Sequence, residues 1–120
     1  MLLIAAVAAS TAPAAADVTQ TPGSNIVVTT CHGQIGKPPL RIAYKNDSQK
    51  NAKEVDFSVV DAAGIVTTVR DVGTFEAGAQ INHVFDLPPD VSPLGLSSAS
   101  CIVTKVTYAD GTSWTNPNPP

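Results

Sequence analysis

At 120 residues and a net charge of −3, from seven basic and ten acidic side chains, the chain has room for one domain and no second core. Its loose lysine group, Lys45, Lys50 and Lys53, is interleaved with Asp47, Glu54 and Asp56. No basic field is left to gather nucleic acid or anionic lipid, so neither is an expected partner.

The first sixteen residues carry no charged side chain, run from Met1-Leu2-Leu3-Ile4 to Ala14-Ala15-Ala16, and are followed by the first charge, Asp17. They are too short to cross about 30 Å of hydrocarbon, and Ala14 and Ala16 fit an A-x-A cleavage pattern. Residues 1–16 therefore read as an export signal, although no Lys or Arg opens it; the competing reading is a buried strand or helix over 2–9. Removing them leaves 104 residues, the size of a single two-sheet sandwich, in a secreted or periplasmic protein. No later stretch reaches eighteen apolar residues, so no membrane span is expected after signal removal.

Residues 17–24 are small and polar around Pro22-Gly23 and read as a flexible tether. Residues 25–31 are rich in β-branched side chains and form a first strand, ended by Gly33, Gly36, Pro38 and Pro39. Residues 40–45 alternate and stop at Asn46-Asp47-Ser48. Residues 54–60 give the clearest strand, with Val55, Phe57 and Val59 on one face and Glu54, Asp56 and Ser58 on the other. A turn at 61–64 leads to a return strand over 65–72, ended by Gly73, and a further strand over 80–87 follows Ala77-Gly78. Residues 88–100 hold three prolines and Gly95 and read as a loop long enough to cross between sheets.

In the last hairpin Ile102, Val106 and Tyr108 share one face by alternation, and Val103, Lys105 and Thr107 the other. A two-residue Asp110-Gly111 turn would place Trp114 opposite Thr107. A three-residue loop with Gly111 left-handed would place it diagonally beside Val106 and Tyr108. The second is favoured, since the single tryptophan of so small a core should be buried. About seven short strands, frequent turn signals and no helical stretch predict an all-β, Ig-like two-sheet antiparallel sandwich over 25–115, followed by a Pro-rich tail over 116–120. Its expected core includes Val55, Phe57, Val59, Ile81, Phe85, Val106, Tyr108 and Trp114.

Cys31 and Cys101 are the only cysteines, and in an oxidising compartment they predict a disulfide. The alternative is a metal site built from Cys31, His32, His83 and Cys101, but the spacings of zinc sites are missing. His83 falls in phase with Ile81 and Phe85 on the inner face, so its imidazole needs a partner, either a backbone carbonyl or a nearby carboxylate. Asp86 faces away. Ser92, Ser97, Ser98 and Ser100 lie in the long loop near Asp90 without a G-x-S-x-G motif, so a triad on His83 is not expected. Residues 33–37 superficially match a glycine-rich nucleic-acid clamp, but they follow a strand and read as a turn. Asp61, Asp71, Asp90 and Asp110 lie at or near turns as backbone caps, without the run of acids a calcium loop needs. Asn46-Asp47-Ser48 is an N-glycosylation sequon on a predicted turn.

The pattern Ile42-x-Tyr44-x-Asn46-x-Ser48, Val55-x-Phe57-x-Val59 and Asp61-x-x-Gly64-x-Val66 resembles the FxLYD-type Ig-like domains of exported bacterial proteins, without their intact aromatic-Leu-Tyr-Asp signature. Most of the mature chain is similar to small exported bacterial proteins with no assigned activity. The shared residues are Asp71-Val72-Gly73-Thr74-Phe75, Gly78, Ile81-x-His83-x-Phe85, Cys101-x-Val103 and Tyr108-x-Asp110-Gly111-x-x-Trp114. The resemblance implies a periplasmic or secreted protein and supplies no catalytic residue. The expectation is a monomeric, non-enzymatic binding, adhesion or scaffold module without metal or cofactor. It would meet a protein or cell-envelope partner through a sheet edge or the 88–100 loop. The rival is a small metal or ligand carrier, or a hydrolase, using His83 or His32.

Overall fold

A computed structural model describes residues 20–33, 39–60, 64, 66–86 and 100–120. Residues 1–16, read as an export signal, the glycine-rich segment 34–38, Asp61, and Asp90, Ser92, Ser97 and Ser98 lie outside the described residues. Seven strands follow one another: β1 Ile26–Gly33, β2 Pro39–Asn46, β3 Ala52–Val60, β4 Val66–Phe75, β5 Gln80–Asp86, β6 Ser100–Tyr108 and β7 Ser113–Thr115. All pair antiparallel, in a three-stranded sheet ordered β1-β2-β5 and a four-stranded sheet ordered β4-β3-β6-β7. The result is a two-sheet β-sandwich. No helix of the described residues is long and apolar enough to cross a membrane.

Alternation supplies the core. Ile26, Val28, Leu40, Ile42, Tyr44 and Ile81 come from one sheet, and Val55, Phe57, Val59, Val69, Phe75, Val103, Val106 and Tyr108 from the other. Phe57 is fully buried at the centre, with its ring 5.3 Å from that of Tyr44, edge to face. Phe85 and Trp114 are only partly buried, because each sits on a strand at the rim of its sheet.

Three strands depart from strict alternation. These are β1 at Thr29, β3 at Lys53 and β6 at Thr104, each at a register shift, and residues 73 and 74 of β4 stand opposite Lys53. A bulge moves every later side chain to the other face. The expected grouping of Ile102 with Val106 and Tyr108 is corrected on this ground. Val103 is fully buried beside Cys101, and Ile102 pairs with Ser58 on the outer face. The bulge's backbone is satisfied from outside the sheet: Val103 N–H donates to Thr21 Oγ1 at 2.9 Å, Val103 C=O accepts from Asn116 Nδ2 at 3.1 Å, and Thr104 C=O accepts from Asn116 N–H at 2.8 Å.

Those contacts also correct the expected tether. From Gln20 onward the N-terminal segment is fixed: Thr21 and Ser24 are buried, and the Gln20 carboxamide both accepts from Val28 N–H at 2.9 Å and donates to Val28 C=O at 2.7 Å. Gly23, left-handed at φ 83°, lies under the Trp114 indole.

The last hairpin is the three-residue form. Gly111 N–H donates to Tyr108 C=O at 3.0 Å, Tyr108 N–H donates to Thr112 C=O at 2.8 Å, and Gly111 has φ 90°. Trp114 then pairs directly opposite Val106 rather than diagonally. Asp110 accepts from both the hydroxyl and the N–H of Thr112 and meets Lys50 at 3.2 Å. The Thr112 hydroxyl and N–H, followed by Lys50, pull the Asp110 carboxyl down to about 2.

Cys31 and Cys101 form a disulfide from β1 to β6, with Cα atoms 5.8 Å apart. It takes both thiols out of the proposed metal set. His32 pairs with Arg41 on the outer face of its sheet and His83 with Ile42 on the inner face, so the two histidines do not converge.

Candidate functional site at the β4–β5 edge

β5 ends the three-stranded sheet and β4 ends the four-stranded one. An inward side chain on β5 is therefore flanked by a strand on one side only. His83 faces inward yet keeps 46% of its side chain exposed. Across the gap, β4 continues the inward series of Val69 with Asp71, and a carboxylate placed there must be hydrogen-bonded. His83 Nδ1 lies 2.8 and 2.9 Å from its two oxygens, and the Tyr44 hydroxyl donates to Oδ2 at 2.8 Å.

The three groups form a line from buried to open. Tyr44 is enclosed, with its ring 5.9 Å from that of Phe75; Asp71 is 3% exposed; the imidazole stands edge-on to Phe75 at 6.2 Å and Phe85 at 6.1 Å. Burial, then the hydrogen bond to Asp71 and its charge, push the Tyr44 phenol far above the usual range. It stays protonated and donates. As a carboxylate, Asp71 can only accept, so in the neutral tautomer the ring proton sits on Nδ1 and the lone pair on Nε2. Among the described residues nothing hydrogen-bonds Nε2, and no three His, Cys, Asp or Glu side chains converge as metal ligands. The arrangement is a base oriented by a carboxylate, able to accept a proton or a hydrogen bond from something brought to it.

The alternation placed His83 on the inner face, and the carboxylate it needs is Asp71. The turn-cap reading of Asp71 is thereby corrected: it lies within β4, two residues beyond Val69 on the same face. That phase was the only signal in the sequence pointing to it.

The Asn46 sequon is also corrected. Asn46 is wholly buried, its Nδ2 faces the carbonyls of Lys50, Phe75 and Glu76 at 2.9, 2.9 and 3.3 Å, and its Oδ1 accepts from the N–H and hydroxyl of Ser48. In the fold this amide organises two turns and has no freedom to carry a glycan.

On the outer face of the larger sheet, Arg70 Nε lies 3.3 Å from Glu54 and 3.4 Å from Asp56 Oδ1. Asp56 is buried, and Oδ1 has ionic contact with Arg70 without an aligned hydrogen bond. Desolvation, then the neighbouring Glu54, raise the Asp56 carboxyl against the opposing pull of Arg70. On the outer face of the smaller sheet, a shallow depression of about 300 Å³ lies over Ala43 between Thr29, Lys45, Gln80 and Asn82.

Comparison with protein-family models, curated proteins and solved structures finds no match.

Proposed function

We propose that this chain is an exported, disulfide-stapled, Ig-like binding module without enzymatic activity, which takes a protein or cell-envelope partner by strand addition at β5. The observation that carries the reading is the contrast among its four sheet edges. β1 is bulged at Thr29 and its Val28 backbone is occupied by Gln20. β4 is bulged at residues 73 and 74, and β7 is three residues long. β5 instead pairs with β2 over seven consecutive positions without a shift, and among the described residues no strand lies on its other side. Blunted edges resist pairing and a regular one invites it. Outward-facing Val84, 52% exposed on this strand, adds apolar surface. The disulfide supports export to an oxidising compartment.

A photo-crosslinking side chain at position 84, in protein exported by its own host, is expected to give a discrete adduct. The same group at exposed Thr68 on β4 should give none, and Val84→Lys should weaken capture at position 82. Equal labelling from 84 and 68 would remove β5 as the docking element. The rival reading, a hydrolase, is favoured by the Asp71–His83 pair, which is a base without a bonded nucleophile among the described residues. Hydrolysis of an ester substrate that is lost in His83→Gln would establish it instead.

A further inference from the structure

The β5 edge presents one polar atom whose orientation is fixed from behind. Asp71, held in turn by the Tyr44 hydroxyl, faces His83 Nδ1 with both oxygens, so the ring cannot flip without giving up its part-buried hydrogen bond to that carboxylate. In the neutral ring Nε2 is then an acceptor, on a side chain at the margin of the sheet that is about half open.

We propose that β5 takes an extended segment whose residue opposite His83 is a threonine or serine, with apolar side chains two positions to either side. The inference rests on the strand-addition reading above and specifies its partner. Residues directly opposite in antiparallel strands share a face, with Cβ atoms about 4.5–5.5 Å apart. The residue opposite His83 therefore lies on the inner face beside the imidazole, where a short hydroxyl side chain reaches Nε2 and donates to it. A carboxylate has no hydrogen to give and would stand near the charge of Asp71. An ammonium on a four-carbon stem overshoots a gap of this size. The flanking positions lie opposite Ile81, which is buried, and Phe85, which is half-buried, so apolar side chains there extend the core outward along Phe85 and Phe75. Threonine is also favoured in strands by its branched Cβ.

The test uses the disulfide-intact protein and three capped heptapeptides, Lys-Val-Gln-X-Gln-Val-Lys, with X as threonine, valine or aspartate, titrated to millimolar concentration and followed by amide NMR. The expected result is perturbation and slowed exchange along residues 80–86, with the threonine peptide binding roughly three- to tenfold more tightly than valine, the span of one net hydrogen bond. His83→Phe should erase that difference while β5 still responds. If threonine and valine bind alike, or aspartate binds tightest, while β5 responds, the hydroxyl inference is overturned and strand addition stands. If none of the peptides perturbs β5, strand addition itself fails.

Discussion

The two long sides of the sandwich are closed by opposite means. On one, a disulfide joins β1 to β6, Cys101 is wholly enclosed, and residues 20–24 and Asn116 cover the strands beside it. On the other, Asp71 and His83 join β4 to β5 through hydrogen bonds, and the imidazole remains half open. The covalent side gains stability through a loop of 70 residues and needs no accessible group, whereas the polar side spends a buried carboxylate to hold one group in a fixed direction. Rigidity and accessibility are thus assigned to different edges of one core.

The comparison breaks most completely if the shared middle is removed. Phe57→Ala is expected to cost about 3–5 kcal/mol in chemical denaturation, since the ring is fully buried against Tyr44. A wild-type denaturation midpoint would refute the strand assignment. Next comes the covalent side: Cys31→Ser and Cys101→Ser should lower stability equally, by about 2–4 kcal/mol, and reductant should bring wild type to the same level. Unequal losses would show that burial of Cys101 outweighs the cross-link. On the polar side, Asp71→Ala should cost about 1–3 kcal/mol by stranding the buried Tyr44 hydroxyl, and Tyr44→Phe about 1 kcal/mol. In the double variant the Tyr44 hydroxyl is gone, so its loss should fall below the sum of the two single losses in a thermal-melt cycle.

The smallest effects lie on the solvent faces and have opposite signs. The folded carboxyl of Asp56 is raised, so the unfolded chain loses its proton first as pH rises from about 3.9, and folding is penalised above that window. Asp56→Asn should therefore melt slightly higher than wild type at pH 7 and no higher below pH 3. The Asp110 carboxyl is lowered to about 2, so its contribution is present above about 3.9 and disappears as pH falls through 2. Asp110→Asn should melt slightly lower at pH 7, with the gap closing in acid.

The strands, their mutual alternation and the hairpin at Gly111 were legible because each depends on residues near one another in sequence. With only two cysteines, the disulfide followed from counting. What escaped was set by distant partners. No local signal marks Thr104 as the residue where the face of β6 changes, because its bulge is completed by Thr21 and Asn116 from opposite ends of the chain. Asp71 could be paired with His83 only once the strand order was known, since the edge strands β4 and β5 of the two sheets lie on the same side. Polar residues at 20–24 looked like a linker by composition, although their side chains serve as backbone substitutes at a strand edge.

Asn46 has a consequence for how this chain can be made. A eukaryotic secretory host would meet the Asn46-Asp47-Ser48 sequon on a newly exported chain, before the amide has closed over Lys50, Phe75 and Glu76. Sugar transfer and folding then compete for one nitrogen, and a molecule modified first cannot bury that amide. Protein from such a host should divide into an unglycosylated, protease-resistant fraction and a glycosylated, protease-sensitive one. Asn46→Asp would not rescue the second, because the carboxylate has no hydrogens for the three carbonyls.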